Sequence, residues 1–333
     1  MCASLKSAAR QKGTVLVAAI LIVAVVVGLS VKFASDYQLS LARAESRWHG
    51  LQARAYLQGA ETLAIHWLKE DDPSVDYIGE GWDAPMSFPI EGGYIAGVLL
   101  DASSQLNLNS LNTPLAKDKP ANAHDRYSEN QRRFLRLLQI KQPNPLTLEE
   151  AVALLEALVD WMDDNDEESG FGGAESYFYQ SGDMPYQAAN GPFKSLDELR
   201  LVRYMTPELM TWLRQYLTVL PGTEPMNINT MPPALLRTLN APEQLEPLGE
   251  AEVRLLAESL PESGFYGNLE DFASTWELSV GTGKLDTSGL AVATRYFWLR
   301  AEVSLVDQRL IQRSLIQRDG DASQVLMRVD DYQ

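Results

Sequence analysis

Residues 12–31 read KGTVLVAAILIVAVVVGLSV, and the amphipathic pattern that follows runs to Glu70 without a turn between them. The uncharged stretch from Thr14 to Val31 spans about 27 Å as a helix, enough to cross a thin hydrocarbon core. Lys6, Arg10 and Lys12 precede it with no acid among them, which places the leader in the cytoplasm and everything from Asp36 onward on the far side. A cleaved secretory signal is the competing reading, but it needs a small-x-small site, and Val31-Lys-Phe-Ala-Ser-Asp36 offers only Ala34. Beyond the apolar run, Ala44, Trp48, Leu51, Ala55, Gly59, Leu63 and Trp67 recur every three or four residues, so the spacing predicts one helical face lying on a globular domain. Asp71-Asp72-Pro73 ends the helix.

The chain has 333 residues, about 260 of them beyond this rod, which is ample for one or two hydrophobic cores. Its single cysteine, Cys2, lies in the leader, so no internal disulfide can staple the exported part. The formal charge is −17, and removing the leader's three cations takes it to −20. Such a surface repels phosphate backbones and suits cations, and no cluster of Lys and Arg interleaved with aromatics offsets it.

After a turn-rich segment with Gly79, Gly81, Pro85 and Pro89, Tyr94–Leu100 reads as a strand. The C-terminus is β as well: Phe297, Leu299, Ala301, Val303 and Leu305 alternate, 310–318 forms a second run, and Asp319-Gly-Asp321 turns into 325–329. Strands flanking a mostly helical stretch imply that one connection of a sheet has grown into a second domain. That stretch contains an internal echo. Leu106-Asn-Leu-Asn-Ser-Leu111 is matched by Met226-Asn-Ile-Asn-Thr-Met231, and Phe193-Lys-Ser-Leu-Asp-Glu-Leu199 by Tyr266-Gly-Asn-Leu-Glu-Asp-Phe272. Two tandem helical modules and a chance likeness of capping signals both fit this pattern. The Asn-Ile-Asn-Thr segment also resembles hairpin modules that bind DNA phosphates through glycine-rich backbone. Here Leu245-Glu-Pro-Leu-Gly-Glu250 has one glycine, and nine acids face Arg237 and Arg254 between 224 and 275, which argues against nucleic acid.

Asp160, Asp163, Asp164, Asp166, Glu167, Glu168 and Glu175 crowd a Gly-rich loop that leaves a helix. Oxygen ligands without His or Cys select Ca²⁺ over Zn²⁺ or Cu²⁺. One register uses Asp163, Asn165, Asp166 and Glu175. The other is EF-hand-like, with Asp164, Asp166, Glu168 and Glu175 at positions one, three, five and twelve, but Ser169 stands where glycine is expected. A solvated acidic loop is the competing reading. His49, His66 and His124 are far apart, and no nucleophile elbow, zinc-protease or P-loop pattern occurs, so no enzymatic activity is expected.

A short basic leader, Lys12-Gly13, and an apolar helix continuing into an amphipathic one resemble a type IV prepilin, cut after Gly13 by a prepilin peptidase and N-methylated at Thr14. Asp160-Trp-Met-Asp163, Gly173-Ala-Glu175, Pro185-Tyr-Gln-Ala-Ala-Asn190, Ser195-Leu-Asp-Glu-Leu-Arg200 and Asn227-Ile-Asn-Thr230 resemble segments of the K-type minor pseudopilin of type II secretion. The likeness covers nearly the whole chain. It implies a pilin-like α+β fold: a long N-terminal helix packed on a small antiparallel sheet, with a large inserted, mostly α-helical domain. The expected division is 1–13 leader, 14–31 membrane half of the helix, 32–70 periplasmic half, 71–109 first β part, 110–290 inserted domain, and 291–333 returning strands. The likeness also implies calcium near the acidic loop, with Asn190 joining Asp163, Asn165, Asp166 and Glu175. It implies a place in the inner membrane and at the tip of the periplasmic pseudopilus. The I-, J- and H-type minor pseudopilins are the expected partners, with secreted exoproteins as further candidates.

Pilins generally carry a Glu five residues into the mature chain, where this chain has Ala18 and the K type is similar in lacking the acid. A subunit with no neighbour above it has no amino terminus to neutralise, so Ala18 fits a tip position. An anchored, calcium-dependent binding or adhesive ectodomain unrelated to pili is the alternative.

Overall fold

The computed structural model describes residues 11–330 apart from Asp183, Thr282 and Asp307, so the expected leader lies almost wholly outside the described residues. Helix α1 runs unbroken over Gln11–Glu70, 60 residues and about 90 Å long. Its apolar first half is exposed along its whole length, and it is the one described helix long and apolar enough to cross a membrane.

The second half docks on a sheet, but by a different face from the one that the apolar spacing predicts. Ala53, Leu57, Glu61, Ala64 and Leu68 are buried, while Trp48 and Leu51 remain 68% and 66% exposed and Leu63 is also exposed. The buried stripe is rotated because it includes a carboxylate. Glu61 accepts hydrogen bonds from Ser314 Oγ (2.6 Å), Gln312 Nε2 (2.8 Å) and both Arg328 Nε and Nη2 (2.8 Å each). A pattern that scores only apolar residues excludes Glu61 and so selects the wrong meridian of the helix.

The sheet has five antiparallel strands: β1 (Met86–Ile90), β2 (Gly93–Asp101), and, far along the chain, β7 (Tyr296–Leu305), β8 (Gln308–Gln317) and β9 (Gln324–Asp330), in the spatial order β1-β2-β7-β8-β9. Phe297, Leu299, Ala301, Val303 and Leu305, which alternate in the sequence, are all buried; they pack with Leu99, Trp82 and Ile316 beneath Leu57, Ala64 and Leu68 of α1. Strands β2 and β7 are direct neighbours, with Gly93 opposite Leu305 and Asp101 opposite Phe297, so the whole chain between them is an insertion at one end of a strand pair.

The inserted block holds β3 (Leu106–Asn107), α2 (Glu129–Gln139), α3 (Leu148–Met162), α4 (Ser176–Gln180), α5 (Pro207–Leu213), β4 (Leu217–Thr218), β5 (Met226–Asn227), α6 (Pro233–Leu236), α7 (Glu250–Glu258), α8 (Leu269–Val280) and β6 (Leu290–Ala291). The sequence echo is structural. Strand β3 pairs in parallel with β4, and β5 with β6. In the first module Asn107 Oδ1 accepts from the Asn109 amide and Asn109 Nδ2 donates to Phe193 O. In the second, Asn227 Oδ1 accepts from the Asn229 amide and Asn229 Nδ2 donates to Tyr266 O. Each asparagine turn thus grips the residue that opens the second echoed segment, where Ser195 caps the turn 196–201 and Asn268 caps α8. Buried arginines of α2 join the modules: Arg136 donates to the carbonyls of Thr238, Ala241 and Gln244, and Arg133 to those of Asp286 and Ser288.

Candidate metal centre at the acidic loop

Helix α3 begins with a capping box, in which Thr147 Oγ1 accepts the Glu150 amide and Glu150 accepts the Thr147 amide. It is buried over most of its length, and its last turns carry two carboxylates inward. Glu156 takes Arg126 Nη2 (2.6 Å) and the Gly172 amide (2.8 Å); Asp160 takes the amides of Ser169 (3.0 Å) and Ala174 (2.8 Å). The loop 163–175 therefore folds back over the helix that it leaves. Its glycines are required by contact. A Cβ on Gly172 would lie 2.3 Å from the Ala153 Cα, and one on Gly173 would lie 2.5 Å from Asp160 Oδ2.

This return brings Asp160, Asp163 and Glu175 together, each offering an oxygen within 4.8 Å of the others. Glu175 is only 4% exposed, and neither of its carboxylate oxygens has a hydrogen-bond partner. Its pKa is pushed up to about 7, first by burial and then by the charges of Asp160, Asp163 and Asp166. Burial likewise raises Asp160 and Asp163, although backbone amides hold both carboxylates the other way. An unpaired buried carboxylate facing two more is costly, and a cation at that point would satisfy all three.

Of the residues expected from sequence, Asp163 and Glu175 meet at this point. Asn165 and Asn190 line, with Asp163, one solvent-open cavity of about 420 Å³ beside it. Asp166 is exposed and stands outside the converging trio, acting on Glu175 through its charge. The EF-hand-like register does not form: Asp164, Asp166 and Glu168 are all exposed, and the helix after the loop is only five residues long. Asp160, counted in the sequence only among the crowded acids, converges with Asp163 and Glu175. Its signal was available in the spacing, because Asp160 lies one helical turn before Asp163, the residue that caps the end of α3. The oxygen-only donor set fits a hard divalent ion.

At the other end of the chain, Gly13, Thr14 and Ala18 lie within α1 and are exposed.

Comparison with known proteins decides the family. The chain is 32% identical to the type II secretion system protein K of Pseudomonas aeruginosa, over 93% of this chain and 90% of that protein. The chain belongs to the type II secretion system protein K family. It is 30% identical to the Aeromonas hydrophila protein of the same name over 97% of each, and residues 104–222 match the family model described as type II secretion system (T2SS), protein K. A chain in the crystal structure of the GspK-GspI-GspJ complex of enterotoxigenic Escherichia coli superimposes with a TM-score of 0.70 at 24% identity, covering 87% of this chain and all of that one. The fold is accordingly pilin-like α+β, as the sequence predicted, and the protein is a minor pseudopilin acting in protein transport. Among the described residues it has one helix, α1, apolar and long enough to serve as a membrane anchor, and the folded remainder follows it. Family members are structural subunits of the secretion machinery, and an adhesive ectodomain unrelated to pili is not favoured.

Proposed function

We propose that this subunit works without catalysis at the tip of the periplasmic pseudopilus, with I-, J- and H-type minor pseudopilins, to start or cap the filament that drives folded proteins across the outer membrane. In this reading a prepilin peptidase cuts after Gly13, Thr14 becomes the N-methylated terminus, and α1 remains in the inner membrane with the folded part in the periplasm. The observation that carries it is α1 itself, one uninterrupted helix whose exposed apolar half is continuous with a half clamped to a sheet. Ala18 supports the tip position, because no acid is present there to meet the amino terminus of a subunit above. The likeness of this chain to one in the GspK-GspI-GspJ complex supports the I and J partners.

Calcium belongs to the same proposal. Asp160, Asp163 and Glu175 would hold the ion, Asn165 and Asn190 stand beside it, and the ion would supply the positive charge that the buried Glu175 lacks. It orders the acidic loop against α3.

The decisive experiment expresses the full chain with and without a prepilin peptidase and reads the mature terminus by mass spectrometry. A peptidase-dependent start at N-methylated Thr14, with co-purification of I- and J-type pseudopilins, is the expected result. An intact Met1 or a cut near Ala34 overturns the processing model, and loss of co-purification in a correctly processed protein overturns the tip assembly.

A further inference from the structure

A second carboxylate group sits where α1, the sheet and the inserted block meet, away from the acidic loop. Asp71, Asp76 and Glu80 each bring one oxygen within 4.8 Å of the others. They lie on the segment that leaves α1 and leads to β1. Arg318, just beyond β8, pairs with two of them: Nη1 reaches Asp71 Oδ2 (2.9 Å) and Nη2 reaches Asp76 Oδ2 (2.5 Å). A fourth carboxylate, the buried Asp101, lies close enough for its charge to act on Asp76; it is held by Asn227, Thr230 and the Ser103 amide.

One guanidinium therefore balances four acids, which leaves a surplus of negative charge in a largely water-excluded place. Asp76 is fully buried, and its Oδ1 meets no donor even though Oδ2 takes the Thr294 amide and Arg318. Glu80 is fixed from one side, where Oε2 accepts Trp82 Nε1 (2.8 Å) and the Tyr77 amide (3.3 Å). Burial is the main cause raising the pKa of Asp71, Asp76 and Glu80 alike, with Asp76 near 6.

We propose that Asp71, Asp76 and Glu80 form a second calcium site, which fastens the end of α1 to the 76–83 segment at the root of the inserted block. Three carboxylates with oxygens within 4.8 Å of one another leave room for an ion whose Ca–O bonds are about 2.3–2.6 Å, and Ca²⁺ accepts the flexible, irregular oxygen geometry of such a segment more readily than Mg²⁺ does. An all-oxygen donor set excludes softer metals as the preferred occupant. Arg318 weakens the site without cancelling it, since it offsets one charge of the group.

The test uses the full chain in detergent micelles and Ca²⁺ alone as ligand. Glu80→Gln keeps an acceptor for Trp82 and Tyr77 and so preserves the local fold, whereas Asp76→Asn removes a fully buried charge that Arg318 needs. Native mass spectrometry of Glu80→Gln should show one calcium fewer than the parent protein. With Tb³⁺ as a luminescent stand-in, the same substitution should remove the emission sensitised through Trp82, whose indole touches Glu80. Glu175→Gln should leave that emission in place, so the result is readable whether or not the acidic loop binds an ion. Unchanged calcium stoichiometry and unchanged Tb³⁺ emission in Glu80→Gln overturn the site, and mean that protons rather than a metal neutralise the group.

Discussion

On the proposed calcium site, replacing Glu175 by Gln should stabilise the protein without calcium and remove most of its gain from calcium, and both effects follow from the geometry of the loop. Without the ion, the folded protein holds a proton on Glu175 up to about pH 7, while the unfolded chain releases it near the ordinary value of 4.5. Between these values the folded state binds more protons than the unfolded state, so stability falls as pH rises. At 1.36 kcal/mol per pH unit the loss by pH 8 is at most about 3–4 kcal/mol. Glutamine carries no charge to desolvate, and its carboxamide can donate to Asp160 or Asp163. In EGTA at pH 8, Glu175→Gln should therefore be more stable than the parent by about 1–3 kcal/mol, with little difference at pH 5. Calcium at a hundredfold excess over its Kd should add about 2.7 kcal/mol to the parent and remove the Glu175 share of its pH slope. It should add far less to the variant. Urea titrations followed by tryptophan fluorescence at pH 5, 6, 7 and 8, in EGTA and in calcium, check both arms. The reasoning is refuted if Glu175→Gln keeps the parental pH slope and the parental calcium response.

Gly173→Ala should cost about 2–3 kcal/mol and blunt the calcium response, since its Cβ would meet Asp160 Oδ2 at 2.5 Å and the Ser169 amide at 2.9 Å; Gly182→Ala, with open space around it, is the neutral control in the same melting assay. Glu61→Ala should destabilise by about 2–4 kcal/mol, because Ser314, Gln312 and Arg328 lose their shared acceptor, and hydrogen exchange should show residues 53–68 of α1 loosening from the sheet. Asn109→Ala and Asn229→Ala should each cost about 2–3 kcal/mol, with hydrogen exchange rising around 193–201 for the first and 266–280 for the second; a single shared pattern would mean that the two modules do not behave as separate units.

Much of this was legible in the sequence because it is periodic or local. The 14–31 run, the stop at Asp71-Asp72-Pro73 and the alternation at 297–305 each announce their element with side chains a few residues apart. The paired asparagine turns were legible as a repeat, and the structure gives them matching bonds to Phe193 and Tyr266. What the sequence hid depends on pairings across long separations. The docking face of α1 is set by Arg328 and Ser314, more than 250 residues away from Glu61, and no local hydropathy pattern contains that information. At the acidic loop, composition pointed to calcium chemistry, but the choice between Asp160 and Asp166 depends on which carboxylate the loop covers as it returns over α3.

The insertion point also explains how a large helical block is held to a slender rod without a second linker. Because β2 and β7 are neighbours, the block leaves and re-enters the sheet at adjacent positions, Asp101 and Tyr296. At that neck Asn227 of the second module donates to Asp101 Oδ2 and to the Asp76 carbonyl, and Arg318 ties Asp76 to Asp71 at the end of α1. Asparagine, aspartate and arginine side chains thus connect block, sheet and helix in one buried network, with Tyr296, Leu315, Leu220 and Ala102 packed beside it. Rigid attachment follows from the low dielectric of that neck, where breaking one charged bond leaves its partner buried and unpaired. A force applied along α1 is then delivered to the helical block as a body, which is the mechanical property that the proposed place at the end of the filament requires.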